Sequence, residues 1–263
     1  MDADGFTVVS KKKAAKRRSA KPPADYVNTC EENVEDCLRK IIQAREDLEA
    51  SEGFTTFREN LNEVKSSQQK EDGCRISSIV CYGLGQVSSS RIARYQTGLL
   101  LSIQEFFDVA VEVFDPAFSS LDERVLDSLN FTVVKENEEG KKSVSTSTLF
   151  YMPHCGKELY NNLLWANWNT ESLPMCIIIG NSFNTIVQNV PSRILKQYYS
   201  FIERAAMLFE EYPLKSLVEH DDVFNDISIH LMKQENALSE KEKLLEECIE
   251  PDYEGCEAEI VRT

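Results

Sequence analysis

Two hydrophobic patterns alternate along the chain. Short, nearly unbroken apolar runs occur at 79–82, 109–114, 131–134, 148–152 and 175–179, and a partly alternating run occurs at 224–231. Runs of this length read as strands, and those without polar interruption as strands covered on both faces. Between them apolar residues recur every three or four positions, as the buried stripe of a helix requires. Ile92, Tyr95, Leu99, Ile103 and Phe106 mark one such stripe, and Leu159, Leu163 and Ala166 mark another within 157–168. Further helices are predicted over 119–129 and 193–211. Upstream, Val34, Leu38, Ile41, Ile42 and Leu48 give one helical stripe, and Phe54, Phe57, Leu61 and Val64 continue it after Gly53. These helices are expected to lead into the domain and pack on its edge.

Strand followed by helix, repeated at least four times, demands a mostly parallel sheet with helices on both faces. The expected fold is therefore three-layer, Rossmann-like α/β. Right-handed crossovers then bring the strand exits 83–91, 115–116, 153–156 and 180–183 to one edge, where a shared crevice is expected. Gly83 and Gly85 suit a sharp reversal there. Ser88, Ser89 and Ser90 are candidate helix caps, and Ser120 with Glu123 reads as a capping box for 119–129.

Charge divides the chain further. The net charge is −15, but residues 1–21 hold seven Lys/Arg against Asp2 and Asp4, so +5, which leaves −20 for the rest. The expected organisation is a disordered basic tail over 1–27, a helical extension over 28–72, the α/β domain over 73–233 and an acidic tail over 234–263. Residues 11–18, Lys-Lys-Lys-Ala-Ala-Lys-Arg-Arg, have nuclear-localisation character. So acidic a body repels phosphate backbones, so direct nucleic-acid binding is not expected. No apolar run approaches the ~18 residues of a membrane span, and the N-terminus has no apolar signal core. The eight cysteines show neither a disulfide framework nor zinc-ligand spacing and read as reduced thiols; no metal site is expected.

The candidate chemistry lies at the strand exits. A full dinucleotide fingerprint would place a third glycine at 88, where this chain has Ser88. The turn also looks like the first loop of class I methyltransferases, which hold S-adenosylmethionine there; the plainer reading is that the glycines only make a tight turn. Ser88, Ser89, Ser90 and Arg91 would suit a phosphate or carboxylate, since hydroxyls, N–H groups and a guanidinium can converge. Asp115, ending the second strand before Pro116, stands where an acid meets a ribose hydroxyl in dinucleotide folds. His154 and Cys155 could supply a base or a haem ligand, although neighbours on a turn usually point apart, and a structural histidine is the plainer reading. Asn181, Ser182, Asn225 and Asp226 either line the crevice or satisfy loop N–H groups. Together with Tyr95 these are the ligand-binding candidates; no residue is assigned a catalytic role.

The motif Gly83-Leu-Gly85-Gln-Val-Ser88-Ser89-Ser90-Arg91, with Tyr95-Gln96, resembles the opening motif of the SRR1-like family, named for reduced sensitivity to red light. The resemblance continues through Phe114-Asp115-Pro116-Ala-Phe118, the block 153–168, Gly180-Asn181-Ser182-Phe183 and Phe224-Asn225-Asp226, and covers 77–231. It implies a regulatory protein of the circadian clock and of haem biosynthesis, cytoplasmic and nuclear, and leaves the chemistry open; protein partners and a small ligand at the crevice are expected beside it. It carries over no catalytic residues. The alternative is a methyltransferase-like or nucleotide-binding enzyme. No cysteine precedes a proline, so direct haem binding would need His154, Cys155 or His230.

Overall fold

The computed structural model describes residues 33–70, 75–218, 223–233 and 248–255. The expected basic tail, and most of the acidic one, lie outside the described residues.

The elements follow in order: α1 (Val34–Glu49), α2 (Glu52–Lys70), β1 (Ser78–Tyr82), α3 (Arg91–Phe107), β2 (Ala110–Phe114), α4 (Ser120–Ser128), β3 (Phe131–Val133), β4 (Thr148–Met152) and α5 (Lys157–Ala166). A short 3-10 turn then leads into β5 (Cys176–Asn181), α6 (Phe183–Asn189), α7 (Ser192–Tyr198), α8 (Ser200–Leu208), β6 (Phe209–Pro213) and β7 (Ile227–Met232). The strands form one seven-stranded sheet in the order β3-β2-β1-β4-β5-β7-β6. β1 to β5 pair in parallel; β7 runs antiparallel to both of its neighbours. The order 3-2-1-4-5 is that of a doubly wound sheet, so the winding reverses between β1 and β4.

Side chains alternate across the sheet because the pleat has a period of two. Ile79, Cys81, Leu149, Tyr151, Ile177 and Ile179 face one buried layer, built with α1 to α4. Val80, Tyr82, Phe150, Met152, Cys176 and Ile178 face the other, built with α5, α6 and α8. The three-layer α/β expectation holds.

Tertiary contacts change several local readings. α1 and α2 join the buried layer of α3. Ile41, Leu48, Phe57, Leu61 and Val64 are buried in the same layer as α3. α3 is thus clasped between the sheet and α1, and more than one stripe of it is covered. Ala93, Gln96, Thr97, Leu99, Leu100 and Ile103 are buried, while Ile92, expected to face inward, is exposed. The capping box of α4 is Ser119 with Asp122, one residue earlier than expected. Asp122 also receives the Ser88 amide at 2.7 Å, and this long-range bond selects the register. The predicted helix 193–211 breaks at Tyr199, and 209–213 become β6, because β7 offers an open ladder to pair with. α6 follows the expected exit turn, started by Ser182, whose Oγ accepts from Thr185 N at 3.1 Å.

Candidate functional site

The expected strand exits do gather at one edge of the sheet, where hydrogen bonds tie them to one another. In the glycine turn, Gly83 and Gly85 both have positive φ, 70° and 74°, which glycine adopts without the penalty an L side chain would meet. The Gly85 amide donates to Asp115 Oδ2 at 2.7 Å, and Asp115 Oδ1 accepts from Ala117 N at 2.8 Å. Asp115 therefore braces the turn, joining the exits of β1 and β2.

The groups of the serines after the turn are taken up within the fold. Ser88 N donates to Asp122 Oδ1. Ser89 Oγ donates to Gln86 Oε1 at 3.1 Å, and Ser90 caps α3 by accepting from Ala93 N at 3.3 Å. Burial acts to raise the Asp122 carboxyl, but the Ser119 hydroxyl and the amides of Ser88 and Ser119 more than offset it and hold it below its usual range. Arg91 does not join the serines in a cradle. Its guanidinium lies 4.9 Å from the Tyr95 ring centroid, and Tyr95 Oη donates to Asp47 Oδ2 at 2.9 Å. Arg91 and Tyr95 thus turn toward α1, whose carboxylate draws the tyrosine hydroxyl.

At the exits of β4 and β5 a second set of contacts forms. His154 takes a left-handed backbone, φ 57°, and its side chain and that of Cys155 meet different partners. The His154 amide donates to Asn181 Oδ1 at 2.8 Å, and Asn181 Nδ2 donates to the Cys155 carbonyl at 3.1 Å. His154 Nε2 lies 2.9 Å from the Val223 carbonyl. Cys155 Sγ is buried and donates to the Tyr82 carbonyl at 3.3 Å, tying β4 to β1. Burial, with the nearby Asp115 charge, pushes the Cys155 thiol up, the opposite of an activated nucleophile. Tyr160 on α5 completes the clasp: its hydroxyl donates to the Met152 carbonyl and accepts the Asn181 amide at 2.8 Å.

His154, Cys155 and His230 do not fit a haem ligand set. His154 and Cys155 are engaged as described. His230 is fully buried, with Nδ1 against the Ile178 carbonyl at 3.1 Å and its ring 4.1 Å from Phe183.

A cavity of about 590 Å³ opens at the same edge, where β5 and β6 end and β7 begins. Ser182, Glu211, Leu214, Phe224, Asn225 and Asp226 are among its lining residues. Gly83–Arg91, Asp115, His154 and Asn181 lie outside that lining. The expected crevice therefore resolves into two parts: a self-bonded knot at the exits of β1, β2 and β4, and an open cavity beyond β5. Glu211 links cavity and core. It accepts from Ser182 Oγ at 2.6 Å and from Asn184 N at 2.9 Å, and His230 Nε2 lies 3.6 Å away. Burial acts to raise this carboxyl, but His230, Ser182 and the Asn184 amide hold it down at about 2.

Sequence reasoning missed Asp122, Tyr160 and Glu211. Asp122 was detectable as the third residue after Ser119. Glu211 carried no signal, since it lay within a stretch read as helix.

Residues 40–231 match the SRR1 domain family. The chain is 36% identical over 209 residues to an SRR1-like protein of Mus musculus, covering 78% of this chain and 83% of that one. It is 34% identical over 149 residues to the Protein SENSITIVITY TO RED LIGHT REDUCED 1 of Arabidopsis thaliana, covering 54% of each chain. Among solved structures, the crystal structure of MtNAS in complex with MTA and tNA matches with a TM-score of 0.34 at 13% identity, covering 76% of this chain and 73% of that one. By its domain match and its similarity to these relatives, the chain belongs to the SRR1 family.

Proposed function

We propose that the chain is a regulatory protein of the circadian clock and of haem biosynthesis that senses a small organic ligand at the carboxyl edge of its sheet. Family membership supports the regulatory reading; the Arabidopsis relative's name speaks of red-light sensitivity alone. The observation that carries ligand sensing is the open cavity of about 590 Å³ lined by Ser182, Glu211, Asn225 and Asp226, a size that suits a small molecule. Asp115 and Asp122 already occupy amides of the glycine turn, where a phosphate would otherwise sit. Cytoplasmic and nuclear residence, and protein partners, belong to the same proposal. Among the described residues no helix is long and apolar enough to cross a membrane.

A second reading is a methyltransferase-like enzyme. The bond from Gly85 N to Asp115 Oδ2 favours it, because it places an acid beside a glycine turn at the end of β2. Asp115 and the Gly85 turn would then hold S-adenosylmethionine, which supplies the methyl group.

Native mass spectrometry of the purified full chain tests both readings, joined by calorimetric titration with S-adenosylmethionine and with nucleotides. A co-purifying small molecule lost in Asn225→Trp supports cavity sensing. S-adenosylmethionine binding lost in Gly85→Asp, and kept in Asn225→Trp, supports the enzyme. No adduct and flat titrations overturn both.

A further inference from the structure

Residues 248–255 follow the last strand and are no part of the sheet, yet they are anchored to α5 and to the α7–α8 junction. Tyr253 is 5% exposed. Its hydroxyl donates to Asn162 Oδ1 at 2.8 Å and accepts from Asn161 Nδ2 at 3.1 Å. Its ring centroid lies 6.1 Å from that of Tyr199 at the junction of α7 and α8. On one side, Lys141 Nζ donates to Glu250 Oε1 at 2.8 Å. On the other, Tyr198 Oη reaches the Glu254 carbonyl at 3.5 Å.

Charge matches across this contact. The segment holds Glu250, Asp252 and Glu254 and no Lys or Arg. In a body that is strongly acidic, its seat presents Lys141 and also Lys157, whose Nζ lies 5.7 Å from the Tyr199 ring centroid. The notch itself is polar where a core would be apolar, since Asn161 and Asn162 are buried on α5. It is also incompletely satisfied. Glu158 is 1% exposed; its Oε1 accepts from Tyr199 Oη at 2.6 Å, while its Oε2 has no hydrogen-bond partner. A buried oxygen left unpaired costs stability.

We propose that the notch between α5 and the α7–α8 junction is a docking site for an acidic, tyrosine-bearing segment, and that residues 248–255 occupy it in cis as a releasable clasp. The tyrosine hydroxyl reads Asn161 and Asn162, and the flanking Glu250 meets Lys141. The clasp holds α5, the helix that starts beside Cys155 and carries Tyr160, so its release loosens the exits of β4 and β5. This inference does not depend on ligand sensing.

The test uses the full chain and a fluorophore-labelled synthetic peptide of residues 248–255. The peptide should bind the Tyr253→Ala chain at least tenfold more tightly than wild type. A peptide carrying Tyr253→Phe should bind about tenfold more weakly, since the hydroxyl's bonds are gone. Hydrogen exchange over 157–166 should rise in Tyr253→Ala and fall again on saturation with peptide. In a second pair of chains, Lys141→Glu should raise that exchange and added Glu250→Lys should restore it. Equal peptide binding to both chains, no binding to either, or failure of the charge swap to restore protection overturns the proposal.

Discussion

Gly83 and Cys155 touch where the winding of the sheet reverses: a Cβ built on Gly83 would stand 2.6 Å from the Cys155 sulfur. The contact joins the exit of β1 to the turn after β4, and the Cys155 thiol donates to the carbonyl of Tyr82 beside it. Glycine at 83 thus answers two demands, a φ of 70° and the approach of a neighbouring side chain.

Gly83→Ala should therefore lower stability by roughly 2–4 kcal/mol, combining left-handed strain with overpacking. Adding Cys155→Ala should recover the overpacking part and leave the strain, because the built Cβ lies 4.0 Å from the Cys155 Cβ. Urea denaturation of the two single variants and the double variant measures the coupling; strict additivity would refute the contact.

Gly98→Ala should also destabilise, against its helix propensity. Alanine gains about 1 kcal/mol in a helix interior. A Cβ at 98, however, would lie 2.9 Å from the Arg45 backbone nitrogen, so α1 would have to move away from α3. Thermal melts should show a lower Tm; a higher one would mean that α1 does not pack this closely.

Glu211 should confer acid sensitivity. Its folded value of about 2 lies below its ordinary value of 4.5, so its stabilisation is present above about pH 4.5 and disappears as pH falls toward 2. Glu211→Gln should cost about 1–3 kcal/mol at pH 7 and progressively less across that window. Denaturation curves at pH 7 and pH 3 check this, and an equal cost at both values would exclude the assigned role.

Tyr160→Phe should cost about 1–3 kcal/mol by removing a donor from the Met152 carbonyl and the acceptor of the Asn181 amide. Hydrogen exchange at Asn181 should accelerate in the variant. Unchanged protection there would show that the hydroxyl does not hold the two exits together.

Much of the fold was legible from local pattern. The runs 79–82 and 148–152 became β1 and β4 almost residue for residue, because a strand covered on both faces leaves no room for polar interruption. The glycine turn, the Ser90 cap and the left-handed His154 all sit at an exit the pattern foresaw. The site was less legible. Arg91, expected beside the serines, lies on Tyr95, since cation and ring meet within one turn of α3 and Asp47 holds the hydroxyl. Residues 209–213 read as helix and formed β6, because only the partner strand β7 supplies their hydrogen bonds.

The sequence alone determined the alternation of strands and helices, the edge at which the turns collect, and the family. These depend on periodicity and on residues close together in the chain. Tertiary structure decided what those turns do to one another: that Asp115 and Asp122 brace the glycine turn, that Glu211 sits beside His230, and that Tyr253 returns to α5. Each of these pairs spans about twenty residues or more, and a hydrogen bond across that separation leaves no periodic trace in the chain. The geometry of packed layers, not local spacing, places donor opposite acceptor.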